Sequence, residues 1–248
     1  MLLSSMTYKE MYDHLASDLK KVQIREQYFL PKAIREFKKQ RKFPAWMWYE
    51  YIVPTTRNKY IIYFYAESRA FIEKPIVDNF SIVFDDKNNK YVIQWVAGAY
   101  KHTENSPLSL VRQIHVYTSH FFERYNERIL NNKYINANDI VCIYLSRNRF
   151  EQMTPIKMNN RINKHLEKLG NTATYGYRVR DGFCFTRSLV ECVTNNNDDE
   201  KVEAICVMYA TFMNESDMKE SQISAINEEY YNIWQQTSRV FIKEAEDG

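Results

Sequence analysis

The sequence contains two groups of runs rich in β-branched and aromatic residues, and turn-forming segments join the runs within each group. In the first group, which extends from 45 to 96, Asp85-Asp86-Lys87-Asn88-Asn89 separates two runs and predicts a β-hairpin. In the second group, Arg180-Asp181-Gly182 predicts a tight turn. The strands predicted for this second group are 172–179, 183–193 and 202–213. Consecutive strands joined by turns are typical of antiparallel sheets, and they favour an α+β fold over an alternating α/β fold.

Segments with helical periodicity lie before, between and after these groups of strands. From Thr7 to Lys42, apolar residues recur at helical spacing, and Pro31 predicts a kink or a break into two helices. The other predicted helices are 119–130, 138–150, 160–169 (closed by Gly170) and 215–245. We therefore expect N-terminal helices on an antiparallel aromatic-rich sheet, then helices, a three-stranded antiparallel sheet and a C-terminal helix.

The chain is long enough for one large domain or two small ones. We predict a single α+β domain over 1–248. The alternative is a division into 1–105 and 106–248, because 103–107 is polar and contains a proline.

Composition limits the chemistry that this chain can use. Gly occurs at 5 positions, which argues against glycine-built phosphate loops. Four cysteines are present without a C-x-x-C pair, so we expect no metal and no cofactor. Cys184, Cys192 and Cys206 lie in apolar runs and are predicted to be buried thiols, as in a reducing compartment. With no apolar run of membrane-spanning length and no convincing signal peptide, the prediction is a cytoplasmic protein without membrane contact.

The segment from His115 to Leu130 carries the chemistry that the sequence offers. Thr118 or Ser119 is placed to cap a helix on which His120, Arg124 and Arg128 follow at intervals of four. Side chains at this spacing share one helix face. His115, on the strand before the helix, is interpreted as a satisfied sheet histidine.

An imidazole and two guanidinium groups in a row suit phosphodiester chemistry. Arginines neutralise phosphate oxygens and stabilise the additional charge of a pentacovalent transition state. A histidine near neutral pKa moves protons to or from the reacting hydroxyl groups. This row therefore predicts metal-independent RNA cleavage.

The row also resembles the H-x-x-x-R-x-x-x-R helix of small toxin-like domains grouped with metal-independent RNases of the barnase, colicin and RelE type. In those domains a small antiparallel sheet follows the helix and ends in a strand that carries a threonine. Residues 114–213 would correspond to such a domain. The resemblance implies that Thr211 holds substrate phosphate and that Tyr177 and Arg178 line the cleft. The insertion from 137 to 169 and the N-terminal half have no counterpart in those domains.

A structural interpretation of the same helix is equally simple. Glu123 and Glu127 stand among the arginines, and such neighbours form an ordinary salt-bridged helix surface.

Two further hypotheses stay open. The first is a non-catalytic nucleic-acid or protein binding module, in which Lys38, Lys39 and Arg41 contact the backbone and sheet aromatics stack on bases. Against it, a charge run is more often a solvated helix face, and a net charge of +3 requires any basic patch to be local. The second is a structural or assembly protein of a bacterium or its mobile elements, in which the aromatic sheet buries a homo-oligomer interface.

Overall fold

The computed structural model describes residues 1–100, 109–159, 162, 175–194 and 200–246. In these ranges the helices are α1 (Tyr8–Lys39), α2 (Ser119–Tyr125), α3 (Ala137–Arg147) and α4 (Glu220–Glu246). The strands are β1 (Ala45–Ile52), β2 (Lys59–Ala66), β3 (Ile76–Phe84), β4 (Lys90–Tyr100), β5 (Ser109–Thr118), β6 (Thr154–Lys157), β7 (Tyr175–Val179), β8 (Gly182–Thr194) and β9 (Glu200–Met213).

All nine strands form one sheet, in the order β1-β2-β3-β4-β5-β9-β8-β7-β6. Neighbouring strands are antiparallel, except that β5 and β9 are parallel, with His115 beside Val207. The prediction of an α+β fold is confirmed, but the three-stranded sheet is wrong. Strand β6 extends the second group to four strands, and the β5–β9 pair fuses both groups into a mixed sheet. Because that pair joins residues about ninety positions apart, local sequence patterns could not reveal it.

The two faces of the sheet are covered by different helices. On β2, Ile62 and Phe64 belong to the apolar cluster under α1, whereas Ile61 and Tyr63 belong to the cluster under α2 and α3. Successive strand residues point to opposite faces, so an unbroken apolar run such as 60–66 is the pattern of a strand buried on both sides. A third cluster, which includes Phe183 and Phe185, packs under α4.

Helix α1 is continuous through Pro31, so the predicted break into two helices does not occur. Its first turn is fixed by a capping box, in which Thr7 and Glu10 each accept a hydrogen bond from the other's main-chain N–H. The carboxylate of Glu191, on β8, accepts from the N–H groups of Tyr8 and Lys9 at 2.7 and 2.9 Å. A strand thereby positions the start of the helix.

The turn between β7 and β8 has the predicted position. Gly182 has a φ of +153°, and a Cβ there would stand 2.3 Å from the carbonyl oxygen of Met213. A side chain is therefore excluded at this position.

Several predictions concern other regions. The predicted helix at 160–169, apart from Ile162, and the predicted boundary at 103–107 lie outside the described residues. Cys184 and Cys206 are buried as predicted, but Cys192 is exposed near the end of β8, where Val190 and Val193 are also exposed. Within the described ranges, no helix is long and apolar enough to cross a membrane.

Candidate functional site

Helix α2 begins where the sequence predicts. The hydroxyl of Thr118 accepts a hydrogen bond from the N–H of Phe121 at 3.1 Å and caps the helix. Phe121 and Tyr125 point into the core, and a single π-helical turn, Asn126–Leu130, continues α2 to its end. The opposite face of α2 therefore presents His120 and Arg124 outward, with Arg128 on the turn that follows.

Each member of this row lies near an acidic side chain. His120 Nδ1 is 3.8 Å from the Glu123 carboxylate, and Arg124 donates to Glu127 at 2.7 Å. Arg128 Nε lies 2.9 Å from Asp217, which follows β9. The side chains of His120 and Arg124 are 54% and 41% exposed. The row is thus an ion-paired helix surface of the kind that the structural interpretation describes.

Arg128 makes a second contact, because its guanidinium donates to the carbonyl oxygen of Phe212 near the end of β9. Thr211 is the preceding residue, but its side chain faces the other way. In the β8–β9 ladder Thr211 stands opposite Phe185, whose side chain packs under α4. Since opposite residues of an antiparallel pair share a face, Thr211 lies on the α4 side and the row on the α2 side.

Tyr177 and Arg178 are likewise separated, because successive residues of β7 face opposite sides. Tyr177 stacks on Tyr209 with ring centroids 5.8 Å apart, inside the core under α3. Arg178 lies 4.5 Å over the ring of Tyr230 on α4 and 3.8 Å from Glu215, at a cavity of about 490 Å³. The structure therefore does not bring the predicted cleavage residues into one cleft.

The basic residues that the sequence predicts to contact a nucleic-acid backbone lie at and just beyond the end of α1. Lys38 pairs with Glu73 at 2.7 Å, and Lys39 pairs with Glu36 at 2.6 Å. Arg41 is exposed just beyond the helix. All three side chains are accessible to solvent.

About two to four turns before Lys38, α1 carries a combination of cations and rings that the sequence analysis did not single out. The guanidinium of Arg25 lies 4.8, 5.3 and 5.2 Å from the ring centres of Tyr28, Phe29 and Tyr51. Lys32 Nζ lies 4.5 Å from the centre of the Tyr28 ring. Tyr28 is 54% exposed. We call Arg25, Tyr28, Phe29, Lys32 and Tyr51 the α1 ridge.

The sequence contains a signal for this ridge. Residues 25, 28, 29 and 32 have the spacing of one helix face, and two rings stand between two cations. The contribution of Tyr51 could not be predicted, because it depends on how α1 crosses the edge strand β1.

Charge is concentrated along the same part of the chain. Residues 21–42 contain eight basic and two acidic side chains, a surplus of six, whereas the whole chain has a net charge of +3. The rest of the chain is therefore net acidic, so the second half of α1 and the residues just after it carry a local surplus of positive charge.

His115 is buried in a hydrogen-bonded chain, as predicted. Gln113 Nε2 lies 2.8 Å from His115 Nε2, and His115 Nδ1 lies 3.0 Å from the hydroxyl of Tyr209. Burial lowers the pKa of His115 to about 3, so the ring is neutral at physiological pH. With Gln113 donating to Nε2, the proton resides on Nδ1 and is donated to Tyr209.

Comparisons of the chain with protein-family models, with curated proteins and with solved structures find no match. Among the described residues, no group of three or more His, Cys, Asp or Glu side chains is placed to hold a metal ion.

Proposed function

We propose that this protein binds single-stranded RNA along the α1 ridge and the basic end of α1. The observation that carries this proposal is the half-exposed ring of Tyr28, which has the cationic groups of Arg25 and Lys32 within 5 Å. A base that stacks on such a ring is held by its π-face, and the cations beside it meet the phosphates.

The charge distribution supports the same surface. Lys38, Lys39 and Arg41 continue the positive charge beyond the ridge, so a backbone that follows α1 meets cations along much of the helix. The ion pairs of Lys38 with Glu73 and of Lys39 with Glu36 are exposed, and exposed pairs contribute little to stability and exchange readily for phosphate. Stacking on unpaired bases favours a single strand over a duplex, whose bases are already stacked.

The test is binding of a fluorescently labelled single-stranded RNA of about 12 nucleotides, a length within the usual site size of such surfaces. Tyr28→Ala and the pair Lys38→Gln, Lys39→Gln should weaken binding. The matched control is Lys133→Gln with Tyr134→Ala, which removes one exposed cation and one exposed ring from the segment between α2 and α3. Equal affinity of all these proteins would refute the proposal.

Metal-independent RNA cleavage at the α2 row is the second candidate. It is favoured by the contact of Arg128 with the Phe212 carbonyl, which brings one end of the row to the end of the last strand. In this hypothesis RNA displaces Glu123 and Glu127 from the exposed residues His120 and Arg124. Cleavage of a mixed RNA in EDTA, lost in His120→Ala and kept in Lys133→Gln, would support it. Absence of cleavage by the unaltered protein would exclude it.

A further inference from the structure

The hairpin of β3 and β4 opens into a fork inside the sheet. Ladder pairing between the two strands runs from Phe84 and Lys90 to Ser81 and Ile93, and no pairs follow within the described residues. Beyond that point, among the described residues, β3 pairs with β2 and β4 pairs with β5. We define the fork as Ile76–Phe80 of β3 and Gln94–Tyr100 of β4.

Side chains take the place of a neighbouring strand at the closed end of the fork. The N–H of Asn79 donates to its neighbour Asp78 at 2.7 Å, and the amide nitrogen of Gln94 donates to the Asn79 carbonyl at 3.4 Å. The main chain of Asn79 therefore faces the gap. In a strand, the N–H and C=O groups of every second residue point to the same side. Val77 therefore presents its N–H and C=O to the gap as well.

A cavity of about 380 Å³ occupies the fork, a volume within the range of small-molecule sites. Aromatic rings of Tyr63, Trp95 and Phe150 form part of its lining. Aromatic rings thus line part of the cavity, and main-chain N–H and C=O groups lie at its edge. This lining suits a flat ligand with polar groups around its rim.

Three polar atoms at this cavity lack a partner within the described residues. The indole N–H of Trp95 is buried and donates to nothing there. The amide nitrogen of Asn79 donates to Glu26, and that of Gln94 donates to the Asp78 carboxylate and to the Asn79 carbonyl. No described group donates to the amide oxygens of Asn79 and Gln94. The site therefore offers one donor and two acceptors. Buried polar groups are normally satisfied, so the buried indole N–H of Trp95 indicates a ligand with an acceptor, and the two amide oxygens can accept hydrogen bonds from the same ligand.

We propose that the fork binds a nucleoside whose base carries an exocyclic amino group. An amino group supplies two donors for the amide oxygens of Asn79 and Gln94, and a ring nitrogen or carbonyl accepts from Trp95. The flat base fits between the aromatic walls. This proposal does not depend on RNA binding by the α1 ridge.

The test is isothermal titration of the intact protein with adenosine, guanosine and cytidine, and with inosine and uridine as the matched nucleosides without an amino group. Gln94→Met removes one acceptor at similar volume, and Trp95→Phe removes the indole donor but keeps a ring. Tyr134→Ala is the control at an exposed distant residue. Circular dichroism and the thermal midpoint of each variant report whether the fold is kept.

We expect at least one amino nucleoside to bind more tightly than inosine and uridine. Each of the two cavity substitutions should weaken it about fivefold to tenfold, which is the usual effect of losing one hydrogen bond. Tyr28→Ala should leave this affinity unchanged, which separates the fork from the α1 ridge. The proposal is overturned if no nucleoside binds at millimolar concentration, if inosine and uridine bind equally well, or if folded Gln94→Met and Trp95→Phe proteins bind as tightly as the unaltered one.

Discussion

Arg147, at the end of α3, and Asp181, in the turn between β7 and β8, form a two-pronged ion pair with N–O distances of 2.8 and 2.5 Å. The same carboxylate accepts hydrogen bonds from Tyr125 and Asn148 at 2.7 and 3.0 Å. Burial by itself would raise the pKa of Asp181, but the hydrogen bonds from Arg147, Tyr125 and Asn148 outweigh it, and the pKa is lowered. This cluster ties α2, α3 and the β7–β8 turn together.

Replacing Asp181 with Asn should lower the free energy of unfolding by about 2–4 kcal/mol, because Arg147 loses its charge partner in a largely buried site. Urea unfolding at neutral pH measures the change. Asp86→Asn makes the same chemical change in an exposed turn and should alter stability by less than about 0.5 kcal/mol. Similar effects of both substitutions would show that the cluster adds nothing to the fold.

The buried ring of His115 predicts a dependence of stability on pH. Its pKa is about 3 in the folded chain and about 6.5 when unfolded, so between these values only the unfolded state takes up the proton. Stability is therefore complete above about pH 6.5 and falls with decreasing pH by up to ~1.4 kcal/mol per unit. Urea unfolding from pH 7 to pH 5 should show this slope. His115→Gln should flatten it, whereas His120→Gln, at an exposed residue, should not.

Glu191→Ala should destabilise the start of α1 by about 1–2 kcal/mol, because the N–H groups of Tyr8 and Lys9 lose their charged acceptor. Denaturant unfolding and amide exchange of the first helical turn measure the loss. Glu50→Ala removes an acid from another strand, where it forms an exposed pair with Lys59, and should change stability by about 0.5 kcal/mol or less. Unchanged exchange in the first turn would contradict the role of Glu191.

Tyr28→Ala on the α1 ridge and Lys38→Gln with Lys39→Gln at the basic end of α1 should weaken RNA binding in different ways. Loss of the ring should cost about 1–3 kcal/mol at every salt concentration, since stacking is not ionic. Loss of the two lysines should reduce the slope of log affinity against log salt by about 0.7 for each phosphate contact removed. Anisotropy titrations at several salt concentrations distinguish the two. An unchanged slope in the lysine variant would mean that the basic end of α1 does not meet the backbone.

In the row of His120, Arg124 and Arg128, we expect Arg128 to stabilise the fold and the other two to act as surface residues. Arg128→Ala should lower stability by about 1–2 kcal/mol, because it leaves the Phe212 carbonyl and Asp217 without their donor. Arg124→Ala, which breaks an exposed pair with Glu127, should change it by less than about 1 kcal/mol. Thermal unfolding of both variants measures this. Equal losses of stability in both variants would mean that the contact of Arg128 with the Phe212 carbonyl stabilises the fold no more than an exposed ion pair does.

The sequence determined the local structure of this protein. The Asp85–Asn89 and Arg180–Gly182 turns, the Thr118 cap and the helical spacing of α1 all follow from residues a few positions apart, and the structure has them. It also determined that His120 and Arg124 lie one helical turn apart on α2, because that depends only on helical geometry. The π-helical turn that carries Arg128 was not predicted.

Only the tertiary structure decided how these elements meet. The parallel β5–β9 pair, a shift of register in β8–β9 between Phe185 and Thr186, and the facing of Thr211 toward α4 depend on distant residues. The fork likewise depends on where pairing between β3 and β4 ends, although Asp78, Asn79 and Gln94 are unusual polar residues for central strands. Pairing and facing result from competition among many distant contacts. A periodic pattern over neighbouring residues therefore determines which residues belong to the same helix or strand. It does not determine which helices and strands meet to form a site.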